Sequence, residues 1–444
     1  MRKKTTLIRI LSLAILAVLA GCETKEPLQT TFSSPQPNTS PPPVQNVADK
    51  PLNVSPDRPN PGTNAQIEQY IKGLAAKGLS QQSQGIWMQS GNTLLANYQG
   101  TIPLPAASIT KVATSLAALQ TFGPDHQFIT FIGITGPIQN GVVQGDLVVE
   151  GNQDPFFVWE EAIALGNLLN QKGIKRVAGD LVVTGKFYMN FESDSQKSAS
   201  FLQQAFNSKI WSTEIETQYQ TMPPKTPKPQ IVIDGLVKFV PQSPGNVQPF
   251  AKHYSFPLAE LLKKMNQYSN NLMADMLADA MGGAKVVAQK AAEAAGVPPT
   301  EIKLVNGSGL SEENRISPRA ACTMLLAIER ALKPYNMTVA DVFAVIGKDQ
   351  GILSERKLPP LAVIKSGTLD NVSALAGALP TQKQGTVWFA IMNGGEDVEG
   401  FRLQQEALLK IFLKQWGSIP ASPQELTPNP VRKTKNSYSE FVKS

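Results

Sequence analysis

The hydrophobic positions change their period along the chain, and these changes divide it into regions. Near the start of the body the pattern predicts two helices and a hairpin, at residues 66–77 and 108–122 for the helices and 85–90 and 93–98 for the hairpin strands. Short Val, Ile and Phe runs then alternate with glycine turns as far as about residue 250. That alternation is typical of a β-rich module.

The helical period returns after this module. It predicts helices over 258–281, 284–295, 317–332, 339–346 and 401–416. Strand-like runs lie before the last helix, at 361–365, 373–379 and 386–392. Helices and strands therefore flank the β-rich middle. We expect an α+β fold in which one domain, residues 64–123 and 251–420, is interrupted by an inserted β-rich domain, residues 124–250.

The N-terminus predicts export. A basic start is followed by an apolar run, residues 10–20, that is too short to span a bilayer, which takes about 20 residues. Leu19-Ala20-Gly21-Cys22 resembles the bacterial lipobox. We therefore expect residues 1–21 to be removed as a signal peptide and Cys22 to be acylated, the alternative being an ordinary signal with a coincidental cysteine.

Composition predicts disorder beside both ends of the folded body. Ten prolines lie between Pro27 and Pro61 among Ser, Thr, Asn and Gln, so residues 22–63 are expected to form an unfolded tether. Fully extended, such a tether would reach on the order of 100 Å. The proline-containing and polar residues 421–444 are expected to form a disordered tail.

Charge and metal-ligand content exclude several classes of function. The net charge is +6, but four of the basic residues lie in the first nine positions and the tail is also basic, so the body is close to neutral and nucleic acid is not an expected partner. His126 and His253 are the two histidines, and they lie far apart without nearby cysteines, which argues against a zinc site. Cys322 lies in an apolar helical pattern and is expected to be buried and inert.

Three short motifs carry the candidate chemistry. Ser108 and Lys111 open a predicted helix, where a spacing of three places them side by side. A serine hydroxyl needs an adjacent base to act as a nucleophile, and a desolvated lysine can supply one near neutral pH. Taken alone, this pair is more often a helix cap beside a surface lysine.

The second and third motifs are as weak when each is taken alone. Ser269 and Asn271 offer a hydroxyl for proton relay and an amide to hold a carbonyl or the lysine. Lys365, Ser366, Gly367 and Thr368 end a strand-like run, which offers a positive charge and two hydroxyls for a carboxylate. The glycine would leave room for a substrate beside the strand. In this order the three motifs match the signature of β-lactamases and penicillin-binding proteins.

The sequence around the motifs resembles one family in particular. Residues 104–112, 268–275 and 306–311 are similar to segments of the class C low-molecular-mass penicillin-binding proteins, the D-Ala-D-Ala carboxypeptidase/endopeptidase family of serine peptidases. The turns at 145–147 and 151–155 are similar to those of its inserted domain. The resemblance extends over about residues 66–415 and implies a penicillin-binding/β-lactamase-like domain.

The resemblance also implies a mechanism. Ser108 would attack the carbonyl between two D-alanines of a peptidoglycan stem peptide, with Lys111 as the base. Ser269 would pass a proton to the leaving D-alanine and Asn271 would hold the acyl amide. The third motif, Lys365-Ser366-Gly367-Thr368, would bind the terminal carboxylate, and the backbone N–H groups of the first and third motifs would form the oxyanion hole. No metal or cofactor is implied, and β-lactams would trap the serine.

Two residues depart from the family pattern. Ser366 stands where the family usually has Thr, which keeps the hydroxyl, and Asn306 stands where it usually has Asp, which removes a charge. A catalytically inactive lipoprotein that binds peptidoglycan or a partner is therefore a competing hypothesis. A β-lactamase is another, but the spacing of 161 positions from Ser108 to Ser269 argues against it, because its first two motifs lie much closer.

The ends of the chain fit a hydrolase of the cell wall. A signal, an acylated Cys22 and a tether would place the body on the periplasmic side of a bacterial membrane, and Glu23 after the cysteine favours the outer membrane. The sequence leaves open whether the substrate is a terminal D-alanine or a cross-link.

Overall fold

The computed structural model describes residues 54–443, so the predicted signal peptide and the predicted acylation of Cys22 lie outside the described residues. None of the helices in the described part is long and apolar enough to cross a membrane. The helices are α1 (Pro61–Ala75), α2 (Thr110–Phe122), α3 (Trp159–Gln171), α4 (Ser195–Phe206), α5 (Thr213–Tyr219), α6 (Leu258–Gln267), α7 (Asn271–Ala280), α8 (Ala284–Ala295), α9 (Pro318–Leu332) and α10 (Val398–Trp416).

Within residues 54–443 the strands form four sheets. In chain order they are β1 (Gln84–Ser90), β2 (Thr93–Tyr98), β3 (Leu104–Pro105), β4 (Ile129–Ile134), β5 (Ile138–Gln139), β6 (Val142–Val143), β7 (Leu147–Asn152), β8 (Arg176–Val177), β9 (Leu181–Lys186), β10 (Val232–Ile233), β11 (Val237–Phe239), β12 (Gln248–Tyr254), β13 (Ile302–Lys303), β14 (Arg315–Ile316), β15 (Ala344–Val345), β16 (Val363–Leu369), β17 (Val372–Thr381), β18 (Gly385–Gly394) and β19 (Tyr438–Phe441).

A six-stranded antiparallel sheet joins the two ends of the folded chain. Its order is β15-β16-β17-β18-β1-β2, so the predicted N-terminal hairpin pairs with the last long strand, for example Trp87 with Ala390. Helices α1 and α10 cover one face, and α9 covers the other with α2 packed on it. Each face of the sheet thus buries its own apolar core, as a layered α+β fold requires.

The folded part begins earlier than the predicted tether allows. Helix α1 starts at Pro61 rather than at 66, with Asn60 as its N-cap and proline in the first turn, a position that proline favours. The carbonyl of Pro56 accepts a hydrogen bond from Asn97 Nδ2 at 2.9 Å. Residues 54–63 therefore belong to the fold, and the prediction of a tether as far as 63 is wrong for them.

The segment between β4 and β12 forms sheets of its own, but it is not simply β-rich. Helices α3, α4 and α5 lie within it and pack on its core, so the expectation of a β-rich module is only partly right. Two of these helices begin at side-chain caps, Asp194 for α4 and Ser212 for α5. Those caps were sequence signals that could have indicated the helices.

The inserted segment repeats one turn. Gly145-Asp146 and Gly179-Asp180 each lead into a strand, and the two strands, β7 and β9, pair in parallel with Leu147 opposite Leu181. Asp146 Oδ1 accepts from the backbone N–H of Asp180 at 2.8 Å, and Asp180 Oδ1 accepts from that of Leu236 at 2.7 Å. The aspartates thus link neighbouring turns by hydrogen bonds, which is a structural reason for the Gly-Asp pair to recur after 34 residues.

The C-terminal segment is folded, which contradicts the predicted disordered tail over 421–443. Leu426 is buried in the core, and Arg432 is bonded to Asp341 and Glu260. Strand β19 then pairs with β12, the exposed edge of the insert's main sheet. An edge strand offers unpaired backbone groups, so a few anchoring side chains are enough to hold a polar, proline-containing segment in place.

Candidate active site

Ser108 and Lys111 lie side by side at the start of α2. Ser108 is in the short turn before the helix, and Lys111 is in the helix's first turn with its side chain fully buried. The Lys111 Nζ is 2.9 Å from the Ser108 Oγ. Ala107, just before the serine, has a φ of +46°, which is unusual for a residue with a side chain and is a form of strain found at functional sites.

Two further groups surround the lysine amine. Lys111 Nζ donates to Asn271 Oδ1 and to the carbonyl oxygen of Ser308, each at 2.7 Å. Both partner atoms are oxygens that can only accept, so they occupy the two N–H groups of a neutral amine. Its one lone pair then remains free. That lone pair is available for the hydroxyl hydrogen of Ser108. The site is thus arranged for an uncharged lysine beside a serine.

The electrostatic surroundings favour the same protonation state. Burial lowers the pKa of Lys111 to about 7, an effect that the nearby charge of Asp275 partly opposes. Asp275 also accepts a hydrogen bond from the backbone N–H of Gly307 at 2.9 Å. Near neutral pH a substantial fraction of Lys111 can therefore act as a base.

The second motif lies where a predicted continuous helix breaks. The helix expected over 258–281 is divided into α6 and α7, because Ser269 adopts a φ of +52° and Asn270 caps α7 by accepting from Met273 N at 3.0 Å. Asn271 is then the first residue of α7, and its amide reaches Lys111. The break therefore positions both predicted side chains of this motif at the site.

The third motif lies on β16, beside the other two. Lys365 is almost fully buried, and its Nζ donates to Ser269 Oγ at 3.0 Å and to the Ser366 carbonyl oxygen at 2.6 Å. Burial, with the charge of Lys111 as a second cause, holds the pKa of Lys365 well below its usual range. All three sequence motifs are therefore brought together.

Gly367 has a different role from the one expected. A Cβ at this position would lie 2.8 Å from the Ala106 carbonyl oxygen and 2.9 Å from the Ser108 backbone nitrogen. The missing side chain is thus needed by the chain's own backbone, which lies against the strand at this point. The contact brings the backbone of Ser108 beside that of the third motif, the arrangement that an oxyanion hole requires.

The loop after β13 supplies a part of the site to which sequence reasoning gave no role. Asn306 Oδ1 accepts hydrogen bonds from Gly309 N at 2.8 Å and from Asn314 Nδ2 at 2.9 Å, which holds the Ser308 carbonyl toward Lys111. An amide oxygen performs this role, so the replacement of the family's Asp by Asn leaves the loop ordered.

Gly309 in this loop offers a test of the packing. Gly309 has a φ of +87°, and a Cβ there would lie 1.9 Å from the Ala107 carbonyl oxygen. We expect Gly309→Ala to lower the free energy of unfolding by about 2–5 kcal/mol, from the disfavoured φ and from overpacking, and to slow acylation of Ser108. Urea unfolding checks the first effect and penicillin labelling checks the second.

Gly78 is the matched control for this change. It has a similar φ of +80°, but a Cβ there would meet no atom within 4 Å. Gly78→Ala should cost about 1–2 kcal/mol and leave acylation unchanged. Equal losses in the two variants would show that the contact with Ala107 is unimportant.

Thr368 contacts a second group that the sequence did not predict to lie at the site, the guanidinium of Arg402. Thr368 is exposed at the end of the motif, and its hydroxyl oxygen accepts a hydrogen bond from Arg402 Nη2 at 3.0 Å. Arg402 lies on α10, far along the chain and in no recognisable motif, so only the fold reveals it.

Cys322 is buried as expected, and burial raises the pKa of its thiol.

The fold and the serine-lysine pair define a serine enzyme of the penicillin-binding class. The chain belongs to the D-Ala-D-Ala carboxypeptidase 3 (S13) family, whose sequence profile matches residues 64–231 and 228–412. This confirms the predicted family and the assignment as a serine hydrolase acting on D-Ala-D-Ala peptides.

Individual relatives agree with this placement. The D-alanyl-D-alanine carboxypeptidase DacB of Haemophilus influenzae is 26% identical, over 68% of this chain and 83% of that protein. The solved penicillin-binding protein 4 of the same organism, in complex with a β-lactam, has a TM-score of 0.58 at 22% identity, over 78% of this chain and 99% of that one.

A second solved structure is similar over a comparable length. A penicillin G-acylated predatory endopeptidase from Bdellovibrio bacteriovorus, in complex with an immunity protein, has a TM-score of 0.64 at 21% identity, over 80% of this chain and 99% of that one. These structures confirm the predicted α+β penicillin-binding fold.

Proposed function

We propose that this protein hydrolyses the terminal D-Ala-D-Ala bond of peptidoglycan stem peptides through an acyl-enzyme on Ser108. The observation that carries the proposal is the buried amine of Lys111, which is placed 2.9 Å from the Ser108 hydroxyl oxygen and whose pKa is lowered to about 7. A serine with such a base beside it is an activated nucleophile.

In the first half of the reaction Lys111 takes the proton of Ser108 as Oγ bonds to the carbonyl carbon between the two D-alanines. The oxygen that becomes negative would be held by the backbone N–H groups of Ser108 and Thr368, and a single lost donor can cost about 10²–10³ in rate. The carbon–nitrogen bond then breaks. The leaving nitrogen of D-alanine would take the proton of Ser269, whose Oγ is 3.0 Å from Lys365 Nζ, and the proton held by Lys111 would pass to Ser269 in its place, so that Lys111 is neutral again.

In the second half Lys111 would take a proton from the attacking water as its oxygen bonds to the acyl carbon, and would return that proton to the Ser108 Oγ as the ester bond breaks. Asn271 would hold the amide of the bound acyl group during both halves, as its place beside Lys111 allows. β-Lactams resemble D-Ala-D-Ala and would acylate the same serine. The penicillin G-acylated Bdellovibrio relative supports this extension.

The same site can also serve as an endopeptidase. A cross-link between stem peptides presents a D-alanine carbonyl, so the nucleophile, base and oxyanion donors would act on it unchanged. The similarity to an endopeptidase supports this second activity. Attachment through an acylated Cys22 on the periplasmic side of a bacterial membrane, with the outer membrane favoured, is part of the proposal and is supported by the sequence alone.

The test is to incubate the full chain with benzylpenicillin and to map the adduct by mass spectrometry, while D-alanine release from a pentapeptide and cleavage of a cross-linked dimer are measured in parallel. We expect a stable adduct on Ser108 and D-alanine release that penicillin pretreatment abolishes. Folded protein without adduct or release would contradict the proposal in favour of an inactive binding protein. Rapid penicillin hydrolysis without peptide cleavage would indicate a β-lactamase.

A further inference from the structure

Arg402 reaches the site from outside the three motifs. It lies near the N-terminal end of α10, and its guanidinium donates from Nη2 to Thr368 Oγ1 at 3.0 Å across to β16. Its side chain is 29% exposed, so the arginine is partly packed against the protein and partly accessible to a ligand. This geometry places a fixed cation beside the hydroxyl that ends the third motif.

The two lysines of the site are poor sources of lasting positive charge. Both are buried, and burial lowers the pKa of each, to about 7 for Lys111 and well below the usual range for Lys365. A guanidinium, in contrast, stays protonated at any pH at which proteins fold. Its paired N–H groups match the two oxygens of a carboxylate, a match that an ammonium cannot make.

We infer that Arg402, together with the Thr368 hydroxyl, recognises the terminal carboxylate of the substrate and so sets the preference for peptides with a free C-terminal acid. This inference rests on the proposed function. The carboxylate would take the place of Thr368 as a partner of the Nη2 group, with the threonine hydroxyl turning to donate to it. Arg402 would then be a specificity residue that binds the substrate and takes no part in proton transfer.

The ion pair between Arg402 and Glu399 is too weak to prevent the arginine from binding a substrate carboxylate. Arg402 Nη1 is paired with Glu399, one helical turn earlier, whose side chain is 77% exposed. Exposed pairs of this kind contribute about 0–1 kcal/mol, so the glutamate orients the arginine without sequestering it. Glu399 also competes with an incoming carboxylate, which gives a second way to test the assignment.

The experiment compares a stem-peptide analogue that ends in D-Ala-D-Ala with its C-terminal amide. Arg402→Ala should lower kcat/KM for the acid by about 10- to 100-fold, mainly through KM, because a charge-assisted contact is lost. Activity on the amide should be unchanged. Arg402→Lys should recover part of the loss, and Glu399→Gln should lower KM for the acid by about 2- to 5-fold.

Lys410→Ala is the matched control, since Lys410 is an exposed cation farther along α10. It should leave both substrates unaffected, which excludes a general charge effect. Equal losses on acid and amide in Arg402→Ala would overturn the inference and assign the residue a structural role. An inactive parent chain would instead contradict the proposed function, and that result is seen before any variant is compared.

Discussion

Replacement of Ser108 by alanine should remove the penicillin adduct and lower D-alanine release by about 10⁴-fold or more, because the proposed acyl-enzyme forms on the Ser108 hydroxyl. The fold should survive. Ser108 is only partly buried, and the change removes one hydroxyl at the start of a helix, so the free energy of unfolding should move by about 1 kcal/mol at most. Mass spectrometry and thermal unfolding measure the two effects.

Ser115→Ala is the control for this prediction. Ser115 lies on the same helix one turn beyond Lys111, and its buried Oγ accepts from Asn266 Nδ2 at 3.0 Å, away from the third motif. Its loss should cost about 1–2 kcal/mol of stability and leave the adduct on Ser108 intact. An adduct that persists in Ser108→Ala would contradict the proposal and direct attention to Ser269 or Ser308 as the nucleophile.

The sequence predicted the chemistry of this site better than its geometry. The resemblance predicts that the three motifs meet, and Lys111 Nζ does lie within hydrogen-bond distance of Ser108 and Asn271, as Lys365 Nζ does of Ser269. Sequence could not show that the Ser308 carbonyl holds Lys111, because a backbone oxygen has no residue type to recognise. It could not show Arg402 either, since that contact depends on how α10 packs against the sheet.

In the fold, too, the elements set by local sequence patterns were predicted correctly, and those set by tertiary contacts were not. The helix after Ser108 and the hairpin at 85–98 follow from local patterns and are present, whereas the helix expected over 258–281 is broken at Ser269. Apolar periodicity continues through that break, because α6 and α7 bury their apolar faces in the same core. Period alone therefore cannot locate a break that tertiary contacts impose.

The two ends of the body were mispredicted for a common reason. Composition ranks a segment by its average, but residues 54–63 and the tail are held by a few specific contacts. Arg432 is one of these contacts, since its guanidinium is buried against Asp341 and Glu260 within a segment that is polar on average. The buried carboxylate of Asp341 and the partly buried carboxylate of Glu260 offset the cost of burying this cation.

Replacement of Lys111 by arginine should lower the rate of Ser108 acylation by about 10²–10⁴-fold, the usual contribution of a general base. Arginine has N–H donors for Asn271 and the Ser308 carbonyl, but it stays positively charged and cannot act as a base. Stopped-flow labelling with a chromogenic penicillin measures the rate, and thermal unfolding verifies that the larger side chain is tolerated. Activity retained in this variant would exclude Lys111 as the base.

The pH dependence of the parent protein tests the same role without disturbing the packing. A lysine with a pKa of about 7 is mostly charged at pH 6 and mostly neutral at pH 8, so acylation should rise about tenfold across that interval. Asp275 raises this pKa, and Asp275→Asn removes the charge while its amide oxygen can still accept from Gly307 N. The variant's profile should therefore move to lower pH. A profile that stays in place, or moves to higher pH, would show that the titrating group is not Lys111.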